Sequence, residues 1–188
     1  RDQILLETIK VEKGRLMNIG YHNLRFNTTR REIFNIRSET DLAKHISLPE
    51  NIPDSILKCR LTYGLEIYKT EFEPYVRREI SSLKLVEDND LNYAYKFADR
   101  AGIGRLFDRR GDCDEILIVR KGLLTDTSYA NIALWDGRTW HTPSTPLLHG
   151  TARARLIDEH GIVESELRPG DLYKYQKIRF FNAMMDVE

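Results

Sequence analysis

What this chain lacks first is charge of one sign. Lysine plus arginine equals aspartate plus glutamate at 29 each, so no overall field draws it to nucleic acid or to an anionic membrane. No run approaches the roughly 18 apolar residues of a membrane span, and the N-terminus shows no signal-peptide pattern. Cysteine is nearly absent. Cys59 and Cys113 supply neither a disulfide framework nor a CxxC spacing, which fits a reducing cytoplasm and reads as two buried structural thiols. Internal repeats and low-complexity stretches are missing too, and no metal site is expected. What remains is 188 residues of ordinary globular composition, 41% hydrophobic and 31% charged, enough for one large domain or two small ones.

The pattern of elements is mixed. Ile4 to Val11 is β-branched and apolar, and Glu12-Lys13-Gly14-Arg15 turns it into a short second strand, Leu16 to Asn18. Residues 21–35 read as a helix with Leu24, Phe26, Ile33 and Phe34 as its main apolar positions, and His22 and Arg25 on one face. A short helix over 41–46 follows. Alternation through 56–71, interrupted at Gly64, predicts strand that is bent or paired there, and Ile80 to Val86 reads as one more strand. The acidic stretch Glu87-Asp88-Asn89-Asp90 is the candidate boundary between domains at 1–88 and 89–188. Beyond it come a helix ending near Phe107, strands over 115–120 and 123–126, and a hairpin about Asp136-Gly137. A helix from Thr151 to about His160 is stopped by Gly161, Pro169-Gly170 turns, Asp171 caps a short helix, and Lys177 to Met184 is a last strand. Hairpins interspersed with helices predict an α+β fold.

Four segments carry chemistry. Lys96 stands among Tyr93, Tyr95 and Phe97, where desolvation would favour the neutral amine that attacks a carbonyl and forms a Schiff base. Asp126 ends a strand, and Asn131 opens the next one five residues later. Gly150 precedes a helix start whose N–H groups and dipole can hold a phosphate. Arg25 can add a charge-assisted clamp to the same phosphate. Each also has an ordinary structural reading: a snorkelling lysine, an Asx-turn, a plain helix start, a solvated arginine.

In this order and spacing the segments resemble the class IV aminotransferase family, the fold-type IV pyridoxal-phosphate enzymes. These include branched-chain and D-amino-acid aminotransferases and 4-amino-4-deoxychorismate lyase. The resemblance implies a small α/β N-terminal domain and a larger, β-rich pseudo-barrel C-terminal domain, here shortened. It implies pyridoxal 5'-phosphate as cofactor, a small-molecule amine as substrate and a homodimer. Lys96 matches the family's Schiff-base lysine, and Asp126 falls where a glutamate usually pairs with the pyridine nitrogen. Arg25 matches the phosphate arginine. Gly150, Thr151 and Ala152 match the phosphate loop, whose threonine hydroxyl is lost at Ala152, and Leu148 is a further cofactor-binding candidate. Lys96-Phe97-Ala98-Asp99-Arg100 and Asn182-Ala183-Met184-Met185 resemble the lyases more than the aminotransferases. Arg60, Tyr63 and Arg100 are candidates for substrate carboxylates. The expectation is a lyase that eliminates pyruvate to give 4-aminobenzoate. An amino-acid aminotransferase is the alternative, and a trimmed, non-catalytic binding protein the second alternative.

Overall fold

The computed structural model describes residues 3–187. Contacts divide them into two compact units, one holding the chain through Arg77 together with Tyr95–Ala98, the other holding Arg78–Ala94 and everything from Asp99 onward. The division does not fall at 88/89. The strand before the acidic connection pairs in the second unit, and the short Lys96 segment pairs in the first.

In the N-terminal unit, β1 (Leu5–Glu12) alternates strictly between buried and half-buried positions. Lys13 and Gly14, both at positive φ, turn it into β2 (Arg15–Leu16), the geometry of a two-residue hairpin. Helix α1 (Ile19–Phe34) ends on Asn35 in the left-handed region. β3 (Leu57–Tyr63) and β4 (Ile67–Pro74) form the hairpin expected about Gly64, and the sheet order is β2-β1-β3-β4. Leu5, Ile9, Val11, Phe26, Cys59, Leu61 and Tyr63 make its core. Leu24, expected on the apolar face of α1, is 63% exposed. The buried positions are His22, Phe26 and Thr29, at i, i+4 and i+7. The segment over 41–46 holds a single 3-10 turn, Leu42–Lys44, capped by Asp41.

The C-terminal unit holds two sheets. β5 (Leu83–Glu87), β6 (Glu115–Arg120) and β7 (Leu123–Thr127) form one, with β5 parallel to β6. β8 (Asn131–Trp135), β9 (Trp140–Pro143), β10 (Val163–Ser165) and β11 (Lys177–Phe181) form the other, in the order β10-β9-β8-β11. Among the described residues these sheets stay open and do not close into a barrel. Helix α2 (Ala101–Phe107) starts later than the Lys96 segment, and α3 (Thr151–Asp158) is ended by His160 at φ 57, not by Gly161. Asp171 sits inside the first turn of a 3-10 helix, Pro169–Lys174, and accepts from the Arg168 N–H at 2.8 Å. Cys59 is buried and its thiol is pushed up to about 12 by burial, whereas Cys113 is half-buried. No helix among the described residues is long and apolar enough to cross a membrane.

Candidate active site

Lys96 does not open a helix. Its carbonyl accepts the Leu6 N–H at 2.9 Å, the Ala98 N–H donates to the Ile4 carbonyl at 2.9 Å, and Phe97 bridges Leu5. A short extended piece is thereby fixed against the start of β1. Its neighbours Tyr95 and Phe97 pack on the core of the N-terminal unit, with ring centroids 5.9 Å apart. Lys96 itself is half-buried.

One residue along β1 stands Glu7, fully buried in a strand position shared with Leu5 and Ile9. Its carboxylate accepts from Arg25 Nε at 2.8 Å and Nη2 at 2.6 Å, fork to fork, and lies 2.6 Å from His22 Nδ1. Burial raises the Glu7 carboxyl, but Arg25 and His22 outweigh it and hold the group down at about 2. Burial holds His22 below the usual imidazole value, partly offset by Glu7. Glu7 was not among the residues nominated above. Its signal was a carboxylate on the apolar phase of an alternating strand, in line with a histidine on the buried stripe of α1.

In the C-terminal unit Asp126 is 5% exposed near the end of β7. Its two oxygens accept from Asn131 Nδ2 at 2.8 Å and from the Leu148 N–H at 2.9 Å. Both donors are neutral, so burial dominates and pushes the carboxyl up to about 6, against the pull of the Leu148 and Asn131 hydrogen bonds and, after them, the charge of Arg153. Asn131 also donates to the Leu148 carbonyl at 3.1 Å, tying the loop before α3 to β8. Gly150 follows as the N-cap of α3, so the N–H groups of Thr151 and Ala152 have no acceptor within the helix. Ala152 packs its methyl with Ala133, Ile162 and Phe181, leaving the backbone as the part that can meet an anion.

The Gly150 position is tightly fixed. A Cβ there would stand 2.3 Å from Asn131 Oδ1, on a side chain already anchored through its Nδ2. Gly150→Ala is expected to destabilise the chain by about 1–3 kcal/mol. Urea denaturation measures it, and an unchanged midpoint would show that Asn131 moves aside freely.

The substrate candidates belong to both units, Arg60 and Tyr63 to the N-terminal one and Arg100 to the C-terminal one. Tyr63 is 1% exposed, its ring centroid 4.5 Å from that of Phe26 and its hydroxyl bonded to Thr29, which makes it a core residue and removes it as a carboxylate contact. Arg60 lies 3.4 Å from Glu73 on the face of β3 away from the core. Arg100, at the N-cap of α2, donates to the Ser128 carbonyl, two residues beyond Asp126.

The amino-transferase class IV family model matches residues 4–187, and the chain belongs to that family. An uncharacterized protein of Haemophilus influenzae is 34% identical over 182 residues, covering 96% of this chain and 97% of that protein. A crystal structure from Haemophilus somnus, of a protein provisionally named 4-amino-4-deoxychorismate lyase, matches with a TM-score of 0.88. It is 33% identical and covers 97% of this chain and 96% of that one. A hypothetical aminotransferase from Mycobacterium tuberculosis, in its PLP-bound form, shares the fold with a TM-score of 0.77. It is 18% identical, and the match covers 98% of this chain and 78% of that one.

Proposed function

We propose that the chain is a pyridoxal-phosphate-dependent enzyme of the 4-amino-4-deoxychorismate lyase type. The observation that carries the cofactor reading is Asp126: a nearly dry carboxylate, fixed by two neutral donors and held near pH 6, has the character of a partner for a cation such as a protonated ring nitrogen. The family resemblance assigns phosphate contacts to the N–H groups that open α3 in the one unit and to Arg25 in the other. When bound, the cofactor supplies a conjugated ring that accepts the electron pair released at the carbon bearing the substrate's amine.

The chain's own residues do the rest. Lys96 would hold the cofactor through Nζ and, once freed by the substrate amine, would be the base that takes the proton from the carbon bearing that amine. Asp126 would favour the protonated form of the ring nitrogen. The segments Lys96-Phe97-Ala98-Asp99-Arg100 and Asn182-Ala183-Met184-Met185 support elimination over transamination. The 33% identity to the provisionally named lyase points the same way.

Amino-acid transamination would use the same cofactor-holding residues and differ in where Lys96 returns its proton. Incubation with aminodeoxychorismate is expected to release pyruvate while the cofactor stays in its aldehyde form. Conversion to the amine form by an amino acid, with no pyruvate from aminodeoxychorismate, would assign the aminotransferase reaction instead. Cofactor binding without turnover of any amine would assign the binding protein.

A further inference from the structure

A glutamate on the core face of a strand is costly unless its charge is met, and an apolar residue would fill position 7 more cheaply. Glu7 is met by two partners whose roles differ. His22 is held toward its neutral form and can satisfy one carboxylate oxygen by an N–H without cancelling the charge. The negative charge is thus left to Arg25, gripped along its Nε–Nη2 edge by both Glu7 oxygens. Arg25 keeps 16% of its side-chain surface exposed while Glu7 keeps none. The guanidinium therefore has one edge locked into the sheet and its Nη1 side turned away from Glu7. This lock is built beside Lys96: the chain at 96 is hydrogen-bonded opposite Leu6, and the Lys96 charge is felt at His22.

We propose that Glu7 is a positioning residue that fixes Arg25 to receive the phosphate of the cofactor, and so makes the chain select the phosphorylated over the unphosphorylated form. The inference rests on the pyridoxal-phosphate reading above. A guanidinium that must find its orientation on each binding event loses rotamer freedom then, whereas one fixed beforehand does not. Lysine could not replace it, because it cannot make the fork-to-fork contact with Glu7 and still present a second edge.

The test uses the full chain stripped of cofactor and titrated with pyridoxal phosphate and, separately, with pyridoxal. Glu7→Gln keeps the shape and removes the charge. It is expected to weaken pyridoxal phosphate by about tenfold to a hundredfold, the range for lost charge-assisted hydrogen bonds, while pyridoxal changes less than about twofold. Arg25→Ala should lose the same selectivity, and the double variant should be no worse than Arg25→Ala alone. A Glu7→Gln protein that keeps the wild-type ratio of the two affinities overturns the proposal. Equal loss of both ligands overturns it as well, since that is what a purely structural carboxylate would give. Should Glu7→Gln fail to fold, Arg25→Lys carries the same test, and an unchanged ratio there is equally fatal. A wild-type chain that binds pyridoxal as tightly as its phosphate overturns the proposal, whereas one that binds neither removes the cofactor reading beneath it.

Discussion

Lys96→Ala is expected to give a folded but colourless protein. The backbone at residue 96 is fixed independently of its side chain: its carbonyl receives the Leu6 N–H, and the flanking bridge pairs Phe97 with Leu5. The aromatic rings that anchor the segment belong to Tyr95 and Phe97. Removing a half-buried lysine side chain from such a site should change stability by less than about 1 kcal/mol. The chemistry has no such reserve. On the proposed function, loss of Nζ would remove the cofactor's covalent anchor and the base for the proton at the reacting carbon. Turnover should fall by on the order of 10³-fold or more, and the visible band of the cofactor-bound protein should vanish. A small primary amine added to the variant should restore part of the rate, because it can take up the proton-transfer role. A variant that stays coloured and active would mean that another amine holds the cofactor.

How much of this was legible in the sequence depends on whether a residue's role is local. The alternation of β1 and β3, the apolar run of β6 and the turns at Lys13-Gly14 and Lys121-Gly122 are set by near neighbours, and they stand where the pattern places them. Lys96 was legible as a chemical oddity but not as a strand. Its backbone groups go to β1, some ninety residues earlier in the chain, and that pairing delays the next helix until Ala101. Leu24 misled for a related reason. Hydropathy favours it over His22 as the buried residue of α1, yet Glu7 across the interface draws His22 inward and leaves Leu24 to solvent. The placement of β5 with the C-terminal unit follows from its parallel pairing with β6, a long-range choice that no local signal at 87–90 reports. Asp126 stands near the end of its strand, where the pattern places it. Its fixation by the Leu148 N–H comes from the loop before α3, which only the fold brings near.

That fixation makes Asp126→Asn the second decisive substitution. The carboxamide can accept with only one atom, so either Asn131 Nδ2 or the Leu148 N–H loses its buried acceptor, at a cost of about 1–3 kcal/mol. The charge that would favour a protonated ring nitrogen is lost as well, and turnover should drop by on the order of 10²-fold, as when one preorganised electrostatic group is removed. Stability against pH isolates the role of the carboxylate. A carboxyl held at about 6 when folded, against 3.8 in the open chain, binds its proton more tightly in the folded state. Its contribution is therefore most favourable below about pH 4 and declines through the window up to about pH 6, by about 3 kcal/mol in all. Glu7 acts in the opposite sense: held at about 2 against 4.5, it stabilises above about pH 4.5 and loses that contribution as the pH falls toward about 2. The two windows hardly overlap. Urea denaturation of the cofactor-free chain between pH 4 and 6 should show the wild type losing stability relative to Asp126→Asn as the pH rises. Adding pyridoxal phosphate should flatten that difference, because a cation against the carboxylate lowers its folded-state value. A difference that is already flat without cofactor would mean that Asp126 is solvated and ionised throughout, and the case for it as the partner of the ring nitrogen would fall with it.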